Sequence, residues 1–103
     1  MKKLIIILIL FTLISCEEEK PTIVGKWKLY QIGTTSINQH WYFLKTGELV
    51  VDREIIGEWV KYEKNLLVIS NTSHNVIEYK INQLTFNNMI LERSGTIYYF
   101  NRL

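Results

Sequence analysis

Few side chains in this 103-residue chain have the type and spacing to carry chemistry. Asp52 and Glu54 stand two apart. On one strand face that spacing separates the carboxyls by roughly 6–7 Å, which overlaps the gap of inverting glycosidases. That face is the outward one, beside Val50 and His40, with no cleft implied. Arg53 lies between the two acids. If it faces inward it needs an anion or several acceptors, because burying an unpaired cation is costly. Arg53 is therefore a candidate anchor for a carboxylate or similar head group. The plainer readings are an arginine that reaches an open rim, or one that pairs with Glu48 or Glu58. His40 falls opposite Asp52 as an exposed pair worth under about 1 kcal/mol. His74, within Thr72-Ser73-His74-Asn75, reads as a turn residue. One Cys and two His make neither a disulfide framework nor a zinc set. No Ser-His-Asp spacing or Gly-rich phosphate loop appears. A binding protein without metal or cofactor, not an enzyme, is the expectation.

The elements that position these residues read as strands. From Thr22 onward there is no Ala and a single Asp, against ten Ile, six Val and seven Thr. Twelve of the thirteen aromatics also lie there. Such a segment is poor helix material and good strand material, which excludes helix bundles, Rossmann-type folds and disorder. Setting aside Lys2 and Lys3 leaves ten Lys and Arg against ten Asp and Glu. That balance gives no electrostatic case for nucleic acid.

The first fifteen residues read as a signal. Met1-Lys2-Lys3 is a short basic region, and Leu4 to Ile14 is apolar. A bilayer span needs about 20 apolar residues, so this run is too short to be one. Leu13-Ile14-Ser15-Cys16 resembles the lipobox of bacterial lipoproteins, which implies cleavage before Cys16 and acylation of its thiol. Three acyl chains would fix the chain to a membrane nearly permanently. Residues 16–22 then form a flexible tether. Glu17-Glu18-Glu19 is either a solvated spacer or similar to the acidic signals that send some Gram-negative lipoproteins to the cell surface. The expected location is the outer membrane of a Gram-negative envelope.

Residues 23–103 break into eight short runs at 25–32, 37–45, 48–56, 58–63, 66–72, 75–86, 89–94 and 96–103. Short connections favour an antiparallel meander, and eight strands can close on themselves. Lys45-Thr46-Gly47 suits a three-residue hairpin loop. It sets Phe43 opposite Leu49, Trp41 opposite Val51 and Gln39 opposite Arg53. Asn87-Asn88 suits a two-residue turn that pairs Phe86 with Met89 and Leu84 with Leu91. Ser94-Gly95 pairs Leu91 with Tyr98 and Met89 with Phe100. Trp27, Leu29, Trp59, Ile77, Tyr79 and Ile81 join the same inward face. With Trp59 inward, strict alternation sends Lys61 inward and Val60 and Tyr62 outward, unless a bulge lies near Gly57 or beyond Trp59.

Several segments together resemble the small lipocalin-like lipoproteins of Gram-negative bacteria. They are Gly25-Lys26-Trp27, Phe43 to Gly47, Gly57-Glu58-Trp59, Tyr79-Lys80-Ile81 with Leu84-Thr85, and Tyr98-Tyr99-Phe100-Asn101-Arg102. The resemblance implies an all-β, eight-stranded, antiparallel up-and-down barrel over residues 23–103. It also implies that Arg102 lies across Trp27 near the base, a contact worth roughly 0.5–2 kcal/mol. A seven-residue strand tilted near 40° makes a barrel only about 17–18 Å tall, mostly packed core. Two functions follow. In one, a small apolar or amphipathic ligand sits in the barrel mouth, touching Arg53, Trp41 and Trp59. In the other, the outer surface binds an envelope protein through Gly33-Thr34-Thr35-Ser36 and Tyr30 or Tyr42.

Overall fold

The computed structural model describes residues 20–103, so the leader, Cys16 and Glu17 to Glu19 lie outside the described residues. Eight strands follow one another: β1 (Gly25–Ile32), β2 (Thr35–Phe43), β3 (Glu48–Val51), β4 (Glu54–Tyr62), β5 (Leu66–Asn71), β6 (Val76–Leu84), β7 (Asn88–Arg93) and β8 (Thr96–Arg102). Each pairs antiparallel with the next, and β8 returns to β1, so the sheet closes into a barrel with no free edge. The turns define two ends. Residues 44–47, 63–65 and 85–87 stand at the base, with the entry to β1 and the end of β8. Residues 33–34, 52–53, 72–75 and 94–95 stand at the other end, the mouth.

Two hairpins have the expected register. Trp41 faces Val51 and Phe43 faces Leu49, with Gly47 at a φ of 104° in the loop. Leu91 faces Tyr98 and Met89 faces Phe100. Their turn is made by Ser94 and Gly95, at φ values of 52° and 83°. Positive φ at both central residues matches the twist of the flanking strands.

Two other hairpins differ. The run 48–56 is not one strand: the chain reverses at Asp52 and Arg53, whose φ values are 50° and 76°. Both residues enter the left-handed region without being glycine, so the usual Asn-Gly signal is missing. The Asp52 carboxylate helps hold the turn by accepting the His40 backbone N–H at 2.9 Å. Gln39 consequently does not pair with Arg53, and Arg53 is exposed rather than inward. Past the turn a bulge sets Val50 against Ile55 but Leu49 against Gly57. Ile56 is the extra residue and packs on the core, while Ile55 turns outward and is 59% exposed. From Trp59 onward the alternation is strict. Lys61 shares the register of buried Leu67 yet is itself exposed, as are Val60 and Tyr62. Gly57 has no room for a side chain, because a Cβ there would run into the Ser70 carbonyl oxygen.

The β6–β7 turn is Phe86-Asn87 rather than Asn87-Asn88. The Thr85 hydroxyl accepts the N–H groups of Asn87 and Asn88 at 3.3 and 2.9 Å, and Thr85 N donates to the Asn88 carbonyl at 2.8 Å. A threonine folding back on its own turn competes with the plain asparagine turn. Leu84 therefore faces Met89, a bulge follows, and Ile81 faces Leu91. Phe86 is thrown outward, 54% exposed, instead of packing inside.

The core is continuous. Trp27, Leu29, Phe43, Leu49, Leu67, Met89 and Leu91 are completely buried, each stabilising the fold by about 1.5–3 kcal/mol. Ile23, just before β1, is also buried and plugs the base.

Candidate functional site: the barrel mouth

Burial falls from base to mouth. The inward residues nearest the mouth turns (Ile32, Ile37, Val51, Ile56, Ile77 and Tyr98) pack on the core but remain partly exposed. They form an apolar ring open to solvent. Below them Trp41 reaches across the lumen. Its ring centroid lies 5.1 Å from that of Phe100 and 6.5 Å from that of Tyr79, both edge-on. Tyr79 meets Tyr98 at 5.4 Å, also edge-on. This aromatic layer is the floor of the mouth.

Polar groups stand around the mouth. Gln39 accepts the Trp41 indole N–H at 3.1 Å, which fixes the floor's orientation. Glu54 pairs with Val51 on the inward register, at the rim. Arg93 follows Met89 and Leu91 in strict alternation and is exposed at the end of β7, near Tyr79. Burial pushes the Tyr79 phenol above its ordinary 10.0, and nearby Tyr98 adds to the rise. Arg93, by charge and a side-chain hydrogen bond, opposes it. At the mouth the arginine on the inward register is thus Arg93, not Arg53. Its signal was the period-two pattern 89, 91, 93, which continues one residue past the last hydrophobic.

Of the residues expected to share the ligand site, Trp41 and Arg53 both line one open cleft on β1 to β3, and Trp59 does not join them. Trp41 lies in the floor. Trp59 sits toward the opposite end, donating its indole N–H to the Leu44 carbonyl at 3.0 Å and packing edge-on against Phe43. Arg53 stands outside, on the β3–β4 turn. Asp52 and Glu54 are divided by that turn, Glu54 taking the register of Val51, so no carboxylate pair forms. His40 and Asp52 do approach, at 3.9 Å, both about half exposed. Gly33 and Thr34 lie at the mouth. Tyr30 packs against Tyr99 at 6.1 Å and Tyr42 lies under Lys26 at 5.3 Å.

At the base, Trp27 and Arg102 face each other across the closing ladder. The guanidinium carbon lies 4.0 Å from the indole centroid. Its nitrogens donate to the carbonyls of Phe86 at 2.7 Å, Val24 at 3.0 Å and Thr22 at 2.8 Å. The Trp27 indole N–H donates to the Ile23 carbonyl at 2.9 Å. One cation thus ties the entry segment, the first strand, the last strand and the β6–β7 turn together. Thr22, assigned to the tether by its sequence, is held by this contact.

An all-β, closed, eight-stranded up-and-down barrel with one apolar mouth is lipocalin-like in fold. A solved structure shares this architecture: a lipocalin-like protein from Bacteroides uniformis, with a TM-score of 0.64 and 18% identity. The match covers 79% of this chain and 98% of that one. At that identity the likeness speaks for the fold. Neither the family models nor the curated proteins give a match to the sequence.

Proposed function

We propose that this protein is a non-enzymatic binding module that holds a small apolar or amphipathic molecule in the barrel mouth, anchored through Cys16 to the outer membrane of a Gram-negative envelope. The observation that carries the reading is the partly exposed apolar ring above the Trp41–Tyr79–Phe100 floor. Small-ligand sites are concave and mostly apolar, with a few polar groups that orient the guest. Gln39, Glu54 and Arg93 are those groups here. The guest's apolar part rests on the ring, and its polar end meets the collar.

Residues 20–103 contain every strand and the closing ladder, so the domain can be studied without its leader. Native mass spectrometry and solvent extraction should reveal a retained small molecule, and the neutral fluorophore N-phenyl-1-naphthylamine should bind. Ile37→Glu and Val51→Glu should each weaken that binding at least tenfold. Unchanged binding in both variants would end the reading. The anchor has its own test: Cys16→Ser should leave an unprocessed precursor, and normal maturation would remove acylation from the account.

A further inference from the structure

The end of the barrel opposite the mouth carries two large apolar side chains outside the core. Phe86 stands in the β6–β7 turn, 54% exposed, and Leu103 follows β8, 60% exposed. The fold holds both by their backbones. The Phe86 carbonyl accepts the Arg102 Nε–H at 2.7 Å, and Leu103 N donates to the Lys26 carbonyl at 3.0 Å. Their side chains are left in water. Tyr62, also exposed, ends β4 at the same end of the barrel. The four mouth turns hold no large apolar residue, and Ile55 and Val76 beside them lie within β4 and β6.

The chain enters the barrel at the same spot. The guanidinium that binds the Phe86 carbonyl also donates to the Thr22 carbonyl at 2.8 Å, so the entry segment begins beside Phe86. Cys16 stands six residues before Thr22, a reach of at most ~20 Å even when fully extended. A barrel anchored at Cys16 is therefore kept close to the bilayer, base first. Exposed Phe and Leu side chains bury readily in the boundary between head groups and acyl chains. The base turns carry Lys45, Glu63 and Lys64, mixed in sign. The contact is therefore apolar and has no need of anionic lipid.

We infer that the base docks on the surface of the bilayer that anchors the chain, with Phe86 and Leu103 in its interface and the mouth turned away toward water. The anchor is taken from the function proposed above, and the orientation is added to it. A guest of the mouth then arrives from the aqueous side rather than out of the bilayer beneath.

The test supplies the anchor chemically. Cys16 is the chain's one cysteine, so the isotope-labelled chain from Cys16 to Leu103 is coupled through it to a maleimide lipid. The lipid sits in phosphatidylcholine nanodiscs that also carry a gadolinium-chelating head group. Amide signals of Lys45, Lys64 and Asn87, in the base turns, broaden more than those of Gly33, His74 and Gly95, in the mouth turns. The Phe86→Ser/Leu103→Ser double variant keeps the folded amide spectrum, because neither side chain belongs to the core, and cuts that contrast about threefold. Equal broadening at both ends, or stronger broadening at the mouth, overturns the inference. A double variant with the wild-type contrast overturns it too, since the short connection alone would then set the orientation. The coupling does not depend on acylation in the cell, so these outcomes bear on the docking alone, whereas maturation of Cys16→Ser bears on the anchor.

Discussion

Replacing Arg102 with Met keeps an apolar stem over Trp27 and removes the guanidinium. Three carbonyl contacts and one indole contact disappear. A hydrogen bond from a charged group contributes about 1.5–3 kcal/mol where solvent is excluded. The bonds to Phe86 and Thr22 are exposed, so each is discounted to about 0.5 kcal/mol. The partly buried bond to Val24 keeps about 1.5 kcal/mol. The indole contact adds about 1 kcal/mol. Arg102→Met should therefore cost about 3 kcal/mol, against which the desolvation of the cation, visible as a pKa pushed below its ordinary value, is a small offset. Equilibrium urea unfolding of residues 20–103 measures this directly. With a slope near 1–1.5 kcal/mol/M for a domain this small, the midpoint should fall by about 2–3 M. A cycle with Trp27→Leu should return a coupling of about 1 kcal/mol, since the two residues are in contact. A midpoint shift under about 0.5 M, or a coupling near zero, would mean that Arg102 decorates the base rather than locking it.

Two further expectations concern the wall and floor. Gly57→Ala should cost more than about 3 kcal/mol or abolish folding, because its new methyl meets the β5 backbone rather than a movable side chain. Circular dichroism melts decide it, and a variant as stable as wild type would contradict the close approach of β4 and β5. The Tyr79 phenol has a folded-state pKa raised above its unfolded value of 10.0. Its contribution is therefore complete below pH 10.0 and is lost as pH rises through the higher folded value. Denaturation midpoints measured from pH 8 upward should fall in that alkaline window, and Tyr79→Phe should flatten the fall. An equal fall in the variant would assign the effect elsewhere.

How much of this was legible depended on how each turn is built. Gly47 and Gly95 announce their turns by composition, and both flanking hairpins have the expected register. The Asp52-Arg53 reversal was hidden because residues with side chains take left-handed conformations there. The chain reads as one run through 48–56, and Arg53 was accordingly drawn inside. Past that turn, the bulge at Ile56 sends Ile55 to solvent. Phe86 went the other way because a hydroxyl at Thr85 moved its turn by one residue. A shift of one residue exchanges the two faces of a strand. The mouth suffered most from this. Its ring residues sit at strand ends, where each turn's detail decides direction. In the core, Phe43 and Leu49 flank the well-marked Gly47 loop, and Met89 and Leu91 take their register from the Gly95 hairpin. Ile23, Leu67 and Ile69 were not foreseen as core, because neither the entry segment nor β5 had a register before the closed barrel supplied one.

The pairing of β8 with β1 also sets a condition on the chain as it is made. Ribosomes deliver the first strand long before the last, and no incomplete product can finish the ring. A chain cut before Thr96 would keep two unsatisfied rows of amide and carbonyl groups, one on β1 and one on β7. Such rows recruit strands from neighbouring molecules. Stop codons or proteolytic cuts that remove Thr96–Arg102 should therefore yield aggregates rather than a loosened monomer, and quality control would have to act on them before they meet.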